Sequence, residues 1–347
     1  MNGAAPAPRV DLALQGGGSH GAFTWGVLDA LLEDDGLDID GVSGTSAGAL
    51  NAAVLAVGWK KGGARRHRET AREALRALWE DVGACSAAFA PPGAGNLGGF
   101  NLHANPWFAW GSAWTQFVSP YQFNPGNVNP LRAIVQRHVD EAALRASPLR
   151  VFVTATAVRT GQAEVFSGAR LSVDAVLASA CLPQLFQAVE IDGEAYWDGG
   201  YVGNPALWPL IYGTEALDVV LVQLDPLVRE GVPTTAAEIA DRLNEITFNA
   251  SLIAEMRAIA FVKKLLARQH VDASHYKDLR LHRIADDAAL APLDASSKYN
   301  NDVGLITRLF TLGRAAAQRW LASDRRHVGR RSSFDIDAVF LAPRKRG

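Results

Sequence analysis

The sequence predicts an α/β fold built on a mostly parallel sheet, and three observations carry that expectation. Strand-like and helix-like segments alternate through the first two-thirds of the 347 residues. Two short apolar runs, 10–14 and 39–43, each lead into a glycine-rich turn. These turns are Gly16-Gly17-Gly18-Ser19-His20-Gly21 and Gly44-Thr45-Ser46-Ala47-Gly48. Residues 217–224 are almost continuously apolar, the pattern of a strand covered on both faces in a parallel sheet.

The elements follow in order. After the first turn, Phe23, Val27, Leu28, Leu31 and Leu32 recur at helical spacing. Residues 47–57 are apolar and alanine-rich, predicting a buried helix that starts beneath Ser46, and 67–81 predict a charged one. A helix over 131–139 precedes a strong strand at 151–158, which pairs as a hairpin with 163–166 across Thr160-Gly161. Residues 173–179 read as a helix. Beyond the loop 226–235 the character changes: Ile239, Leu243, Ile246, Ile253, Met256, Ala260 and Leu266 mark a long helix. A strand at 279–284 and a helix over 302–321 complete the chain. The expected division is a core over 9–225, with an insert at 82–131, and a mainly helical C-terminal extension over 226–347 with a basic tail.

The turns carry the chemistry. A serine hydroxyl is a weak nucleophile until it is lifted clear of its neighbours and given a proton acceptor. In G-x-S-x-G the serine occupies a sharp strand-to-helix turn, where flanking glycines avoid clashes. Ser46 fits that place. Acyl transfer also needs N–H groups aimed at the developing oxyanion, each worth ~3–4 kcal/mol of barrier. Gly17 and Gly18, at a strand end and without side chains, suit that task. Asp198, in Tyr196-Trp197-Asp198-Gly199-Gly200, supplies a carboxylate that can act as base once held within reach of the serine.

Two rival readings use the same residues. Gly16, Gly18 and Gly21 also satisfy G-x-G-x-x-G, and Asp38 or Asp40 stands near the spacing of a ribose-binding acid. The strand holding those acids runs straight into the Ser46 turn, for which a dinucleotide fold has no use. A Ser-acid-His triad could formally draw on Ser46, on Asp198 or Asp225, and on His270, His275 or His282. Those histidines sit among charged residues and read as solvated surface.

Together, residues 15–21, the Ser46 turn and Asp198-Gly199-Gly200 resemble the three signatures of the patatin-like phospholipases. Ala178-Ser179-Ala180-Cys181-Leu182-Pro183-Gln184-Leu185-Phe186 is similar to the family's fourth segment. The resemblance extends over about 10–225 and implies a three-layer α/β/α fold. It implies lipid acyl hydrolysis by a serine–aspartate dyad without metal or organic cofactor. By position it makes Ser46 the nucleophile, Asp198 the base, and Gly17 and Gly18 the oxyanion donors. The chain departs from the family at His20, where an arginine or lysine is usual, and at Gln15, where aspartate or glycine is. A neutral histidine suits an anionic head group less well than a cation does. His20 therefore stands as a substrate-binding candidate whose simpler role is to cap the turn.

The insert 82–131 holds no Asp, Glu, Lys or Arg and many aromatics, among them Trp107, Trp110 and Trp114. It is expected to cover the site or line an acyl groove, with these tryptophans as substrate contacts. The net charge of −2 gives no basic field to recruit nucleic acid. Cys85 and Cys181 read as reduced thiols, and no signal peptide or membrane-spanning stretch is evident, which points to the cytoplasm. Any membrane contact would be peripheral, through the basic edge Arg257, Lys263, Lys264 and Arg268 or the tail Arg344-Lys345-Arg346, which otherwise read as solvated surface. The expected partner is a lipid or other hydrophobic acyl ester. The alternatives are a depolymerase of hydroxyalkanoate storage polyesters and a non-catalytic lipid- or granule-binding protein.

Overall fold

The computed structural model describes residues 7–89, 100–102, 105, 108, 111, 117–272 and 274–342. An eight-stranded sheet forms its centre: β1 (Arg9–Leu14), β2 (Asp38–Thr45), β3 (Arg150–Ala157), β4 (Ala163–Ser167), β5 (Val189–Ile191), β6 (Glu194–Asp198), β7 (Asp218–Val222) and β8 (Arg280–Ile284). The order is β5-β6-β3-β2-β1-β7-β8, with β4 also paired to β3. β3, β2, β1, β7 and β8 run parallel, while β4 and β6 pair antiparallel with β3. The expected hairpin is therefore present, turning at Gly161. Most other elements form within a few residues of their expected bounds.

Alternation along the strands assigns the two faces. Val10, Leu12 and Leu14 of β1 and Val220 and Val222 of β7 join one apolar cluster, whereas Ala13, Val219 and Leu221 join the other. The first cluster is covered by α1 (Gly21–Glu33), α2 (Ala47–Phe89), α3 (Pro130–His138), α4 (Val173–Ser179) and α6 (Val303–Ser323). The second is covered by α5 (Ala236–Ala267) and the short helix Trp208–Gly213. Three layers result.

Local signals explain the helix starts. Asn129, Ser172 and Asp302 accept backbone N–H bonds at the first turns of α3, α4 and α6. Thr235 and Glu238 form a reciprocal capping box at the start of α5. The two helices expected after Ser46 are joined as α2, with non-helical dihedrals at Gly63. A straight helix would separate Asn51 from Trp79 by ~42 Å at 1.5 Å per residue. Their side chains instead form a hydrogen bond of 3.0 Å, so Gly63 folds the second half back on the first.

The segment after residue 225 is built into the same sheet and core. β8 adds a parallel strand to β7, and Ile284, Leu305, Leu309 and Trp320 share the large cluster with β1 and α1. α1 is buried almost all round between the sheet, α2 and α6. Its one deep acid, Asp29, is held by Arg72 at 2.8 Å and by Arg314 of α6. Helices α1 and α6 approach so closely that a Cβ on Gly26 would strike Phe310, and one on Gly313 would strike Phe23.

The late histidines divide in a way their charged neighbours concealed. His270 and His275 are exposed, but His282 is wholly buried on β8, 2.9 Å from Asp218 and edge-on to Trp320. The reason is that both faces of β8 are covered: Leu281 packs into the cluster under α5, while His282 and Ile284 face the larger cluster on the other side. The basic edge of α5 is partly neutralised, since Lys263 pairs with Asp278 and Lys264 with Asp337. No described helix is long and apolar enough to cross a membrane.

A Gly26→Val substitution is expected to destabilise the fold by about 1–3 kcal/mol, because overpacking must push α1 from α6. Urea unfolding measures this; an unchanged midpoint would mean that the two helices are not tightly seated.

Candidate active site

Strand register brings the distant turns together. Thr45, the last residue of β2, pairs with Thr154 of β3, and the next residue of β3, Ala155, pairs with Asp198 at the end of β6. Ser46 leaves β2 at that point with φ of 54°, a left-handed conformation that non-glycine residues adopt only when their surroundings impose it. Two hydrogen bonds hold it there. Its N–H donates to Ser179 Oγ at 2.9 Å, and that hydroxyl donates to Thr154 O at 2.6 Å. Ser179 thus explains the fourth sequence segment: it clamps the serine turn to β3.

Asp198 is held just as firmly. Its N–H donates to Cys181 O at 2.8 Å, and its carbonyl accepts from Thr156 Oγ1 at 2.7 Å. In the carboxyl group, Oδ1 accepts the Gly200 N–H at 2.7 Å, while Oδ2 is buried without a hydrogen-bond partner among the described residues. Burial raises this carboxyl from the usual range to about 7, against the opposing pull of the Gly200 N–H, the Ser46 hydroxyl and the Lys298 charge. Ser46 is therefore close enough to act on the carboxylate, although no well-aligned hydrogen bond joins them. The arrangement sets a hydroxyl near a carboxyl oxygen that has no hydrogen-bond partner among the described residues.

The first glycine turn lies alongside. Gly16 N–H donates to Asn204 Oδ1 at 2.7 Å, and Thr45 Oγ1 donates to Gly203 O at 2.6 Å, so the loop after Asp198 is tied to both glycine turns. Gln15 ties the other side: its Oε1 accepts Leu224 and Asp225 N–H groups at 2.7 and 2.8 Å, and its Nε2 donates to Asn249 of α5 at 3.0 Å. No hydrogen bond to the Gly17 or Gly18 N–H occurs among the described residues. Gly18 has φ of +55°, and a Cβ there would strike the Lys298 carbonyl.

Ser46, Asp198, Gly17 and Gly18 all line one cavity of about 490 Å³. Leu50, Trp79 and Val82 of α2 and Leu131 and Ile134 of α3 give it an apolar wall, continued by Leu182, Leu185 and Phe186. The described part of the insert contributes Val82, Cys85, Leu102, Phe108 and Leu131. Trp107, Trp110 and Trp114 lie outside the described residues.

His20 does not reach the cavity. Its ring is buried and sits 2.7 Å from Ser297 Oγ, and burial, with the Lys298 and Arg229 charges nearby, lowers its pKa to about 3. It is a neutral brace that ties the turn to Ser297 and makes no side-chain capping bond to the helix that follows. None of the described cavity residues is a histidine, so the three late histidines have no place beside Ser46. Among the described residues no group of His, Cys, Asp and Glu could hold a metal ion.

Sequence reasoning missed Asn244, Phe248, Lys298 and Asn301, which line the same cavity from the C-terminal segment. No spacing signal links them to Ser46, because α5 and the turn Ala295–Tyr299 meet the site only through tertiary packing.

The patatin-like phospholipase family model matches residues 12–211. No curated protein resembles the chain closely enough to count as a match. Among solved structures the chain is similar to VipD from Legionella pneumophila, at 17% identity and a TM-score of 0.40, over 92% of this chain and 68% of that one. It is similar to the type III effector ExoU at 17% identity and a TM-score of 0.34, again over 92% of this chain but only 54% of that one. The ExoU chain solved with SpcU from Pseudomonas aeruginosa is matched at 16% identity and a TM-score of 0.29, over 92% and 54% of the two chains. The family match takes in more than half of the sequence, including the turns that carry Gly17, Gly18, Ser46 and Asp198. The chain therefore belongs to the patatin-like phospholipase family, and lipids are the substrates that this membership implies.

Proposed function

We propose that the protein is a serine-dependent lipid acyl hydrolase in which Ser46 and Asp198 form the catalytic pair. One observation carries the reading. Ser46, on its left-handed turn, shares a cavity with a buried Asp198 carboxyl whose second oxygen has no hydrogen-bond partner among the described residues.

The reaction follows from that placement. Ser46 Oγ attacks the acyl carbon as its proton passes to Asp198. The carbonyl oxygen becomes an oxyanion and meets the Gly17 and Gly18 N–H groups. Collapse of this intermediate breaks the bond between the acyl carbon and the alcohol oxygen, and the alcohol leaves with the proton from Asp198. Water then gives a proton to the same carboxylate and adds to the acyl carbon. Ser46 recovers its proton as the free acid departs. A carboxyl raised to about 7 accepts a proton far more readily than an ordinary one, which suits a base working near neutral pH.

The apolar wall of α2, α3 and residues 182–186 is the proposed acyl groove. Beside it, residues 117–128 place Phe117, Tyr121, Phe123 and Val128 at the surface, and Gln187 and Ala188 bond to this segment. That exposed apolar rim supports peripheral contact with a lipid surface. The storage-polyester alternative draws on the neutral His20 and the aromatic insert; His20 does not line the cavity, so the first of these grounds does not bear on the site.

Ser46→Ala and Asp198→Asn are each expected to lower turnover of an activated acyl ester at least a thousandfold with the fold retained; wild-type protein that binds lipid but turns over no ester would favour the binding-protein alternative. In the pH profile, Asp198 must be ionised to act, so kcat/KM should fall about tenfold per pH unit below about 7 and level off above it. A profile flat from pH 5 to 8 would rule out this carboxylate as base. Leu131→Trp, filling the apolar wall, should reduce kcat/KM for long acyl chains at least tenfold more than for short ones, and an equal effect on both would place the acyl chain elsewhere.

A further inference from the structure

The apolar periodicity of α5 divides between two sides of the helix. Phe248, Leu252, Met256 and Ala260 are buried against the core, whereas Ile239, Leu243 and Ile246 are 43%, 58% and 50% exposed. With the exposed Ala250 and the half-buried Ile253 they form a strip whose steps are four, three, four and three residues. That is the a and d spacing of a coiled-coil seam, two heptads long. A helix packed by one side alone ordinarily shows polar residues on the other. Here Ala240, Thr247 and Ala254 border the strip, and the charged residues of the same stretch, Asp241, Arg242 and Glu245, are half-buried or buried.

We propose that this strip is the interface of a homodimer in which α5 packs antiparallel against α5 of a second copy. Of α5, the cavity takes Asn244 and Phe248 and none of the strip residues. The proposal is therefore independent of the hydrolase reading.

Geometry and charge select a second copy as the occupant. A two-fold axis near residue 248 sets Leu243 against Ile253, Ile246 against Ala250 and Ile239 against Arg257 of the other copy. Every layer then joins an a position to a d position and occurs twice, as a self-complementary interface demands. Large side chains meet small ones in the central layers, so the helices can approach closely. A groove of about 280 Å³ beside the strip, with Leu227, Ile246, Ala250 and Ile253 in its walls, gives room for a side chain from the other copy.

The ends of the helix carry opposite charge. Glu230 and Glu238 stand at the N-terminal end and Arg257 and Arg268 toward the C-terminal end. All four are exposed, and none has an ion pair among the described residues. Antiparallel pairing sets each acidic end against the basic end of the other copy, whereas parallel pairing sets like against like. A helix that lies in a lipid surface carries Lys and Arg along its flank and aromatic side chains on its apolar face. The strip and its borders over 239–254 have neither, which favours a protein partner over a lipid one.

Sedimentation equilibrium of the full chain tests the pairing. At tens of micromolar the wild type is expected to be a dimer. Leu243→Glu and Ile246→Glu each put a charge into the seam and should raise the dimer Kd at least tenfold. Both positions are exposed in the single chain, so the circular dichroism of the variants should match that of the wild type. A monomeric wild type overturns the proposal, and so does a dimer that neither substitution weakens, since it must use another surface. Orientation has its own readout. Oxidation of Ile246→Cys/Ala250→Cys should link two chains, because the axis brings each new thiol to the other kind. Ile239→Cys/Leu243→Cys, whose thiols the axis holds apart, and the wild type with Cys85 and Cys181 should stay unlinked. Equal linking of the two double variants, or linking of neither, overturns the antiparallel seam. Co-sedimentation of a monomeric wild type with phosphatidylcholine vesicles, lost in Leu243→Glu, would assign the strip to lipid and overturn the proposal.

Discussion

A carboxyl group buried with one oxygen unpartnered is the constraint around which this structure is arranged. Burying such a group is unfavourable, and a raised pKa is the direct expression of that cost. A fold tolerates it only where the neighbouring backbone is fixed so well that the side chain cannot swing out to water. Here both backbone groups of Asp198 are bonded, one to Cys181 and one to Thr156, and its Oδ1 is held by Gly200. What remains unsatisfied is the single oxygen that the proposed reaction uses.

The same economy governs the serine. Its left-handed φ is maintained by a relay through Ser179 to the carbonyl of Thr154, whose successor in β3 pairs with Asp198. Hydroxyl and carboxyl are thus referred to one strand, and their separation is set by adjacent positions in a parallel–antiparallel junction rather than by loops. Asn204 and Gln15 extend this bracing to the glycine turn, one binding its Gly16 N–H and the other joining the ends of β1 and β7 to α5. Gln15 and His20, the two departures from the family pattern, both serve as braces.

The cavity is lined from two parts of the chain. The turns carrying Ser46 and Asp198 lie within the family match, while Asn244, Phe248, Lys298 and Asn301 reach the cavity from the segment that adds β8, α5 and α6. This segment is no appendage: its strand extends the sheet, its helices close both faces, and its 295–299 turn fills the space that Gly18 leaves.

The sequence by itself determined the parallel strands, the helices and the three turns, because each depends on local periodicity and on glycine, serine and aspartate at short spacing. It also singled out Ser46 and Asp198 through their turn signatures, and both line the same cavity. It misjudged His282, whose charged neighbours hid an inward-facing position on β8. It separated two helices without showing that Gly63 folds one back on the other, which only the Asn51–Trp79 bond reveals. Tertiary structure alone decided that His20 turns away from the cavity and Lys298 into its wall. The reason is physical: a buried cation is placed by the carboxylate and ring that receive it, here Asp225 and Phe248, and those lie 73 and 50 residues from it in sequence.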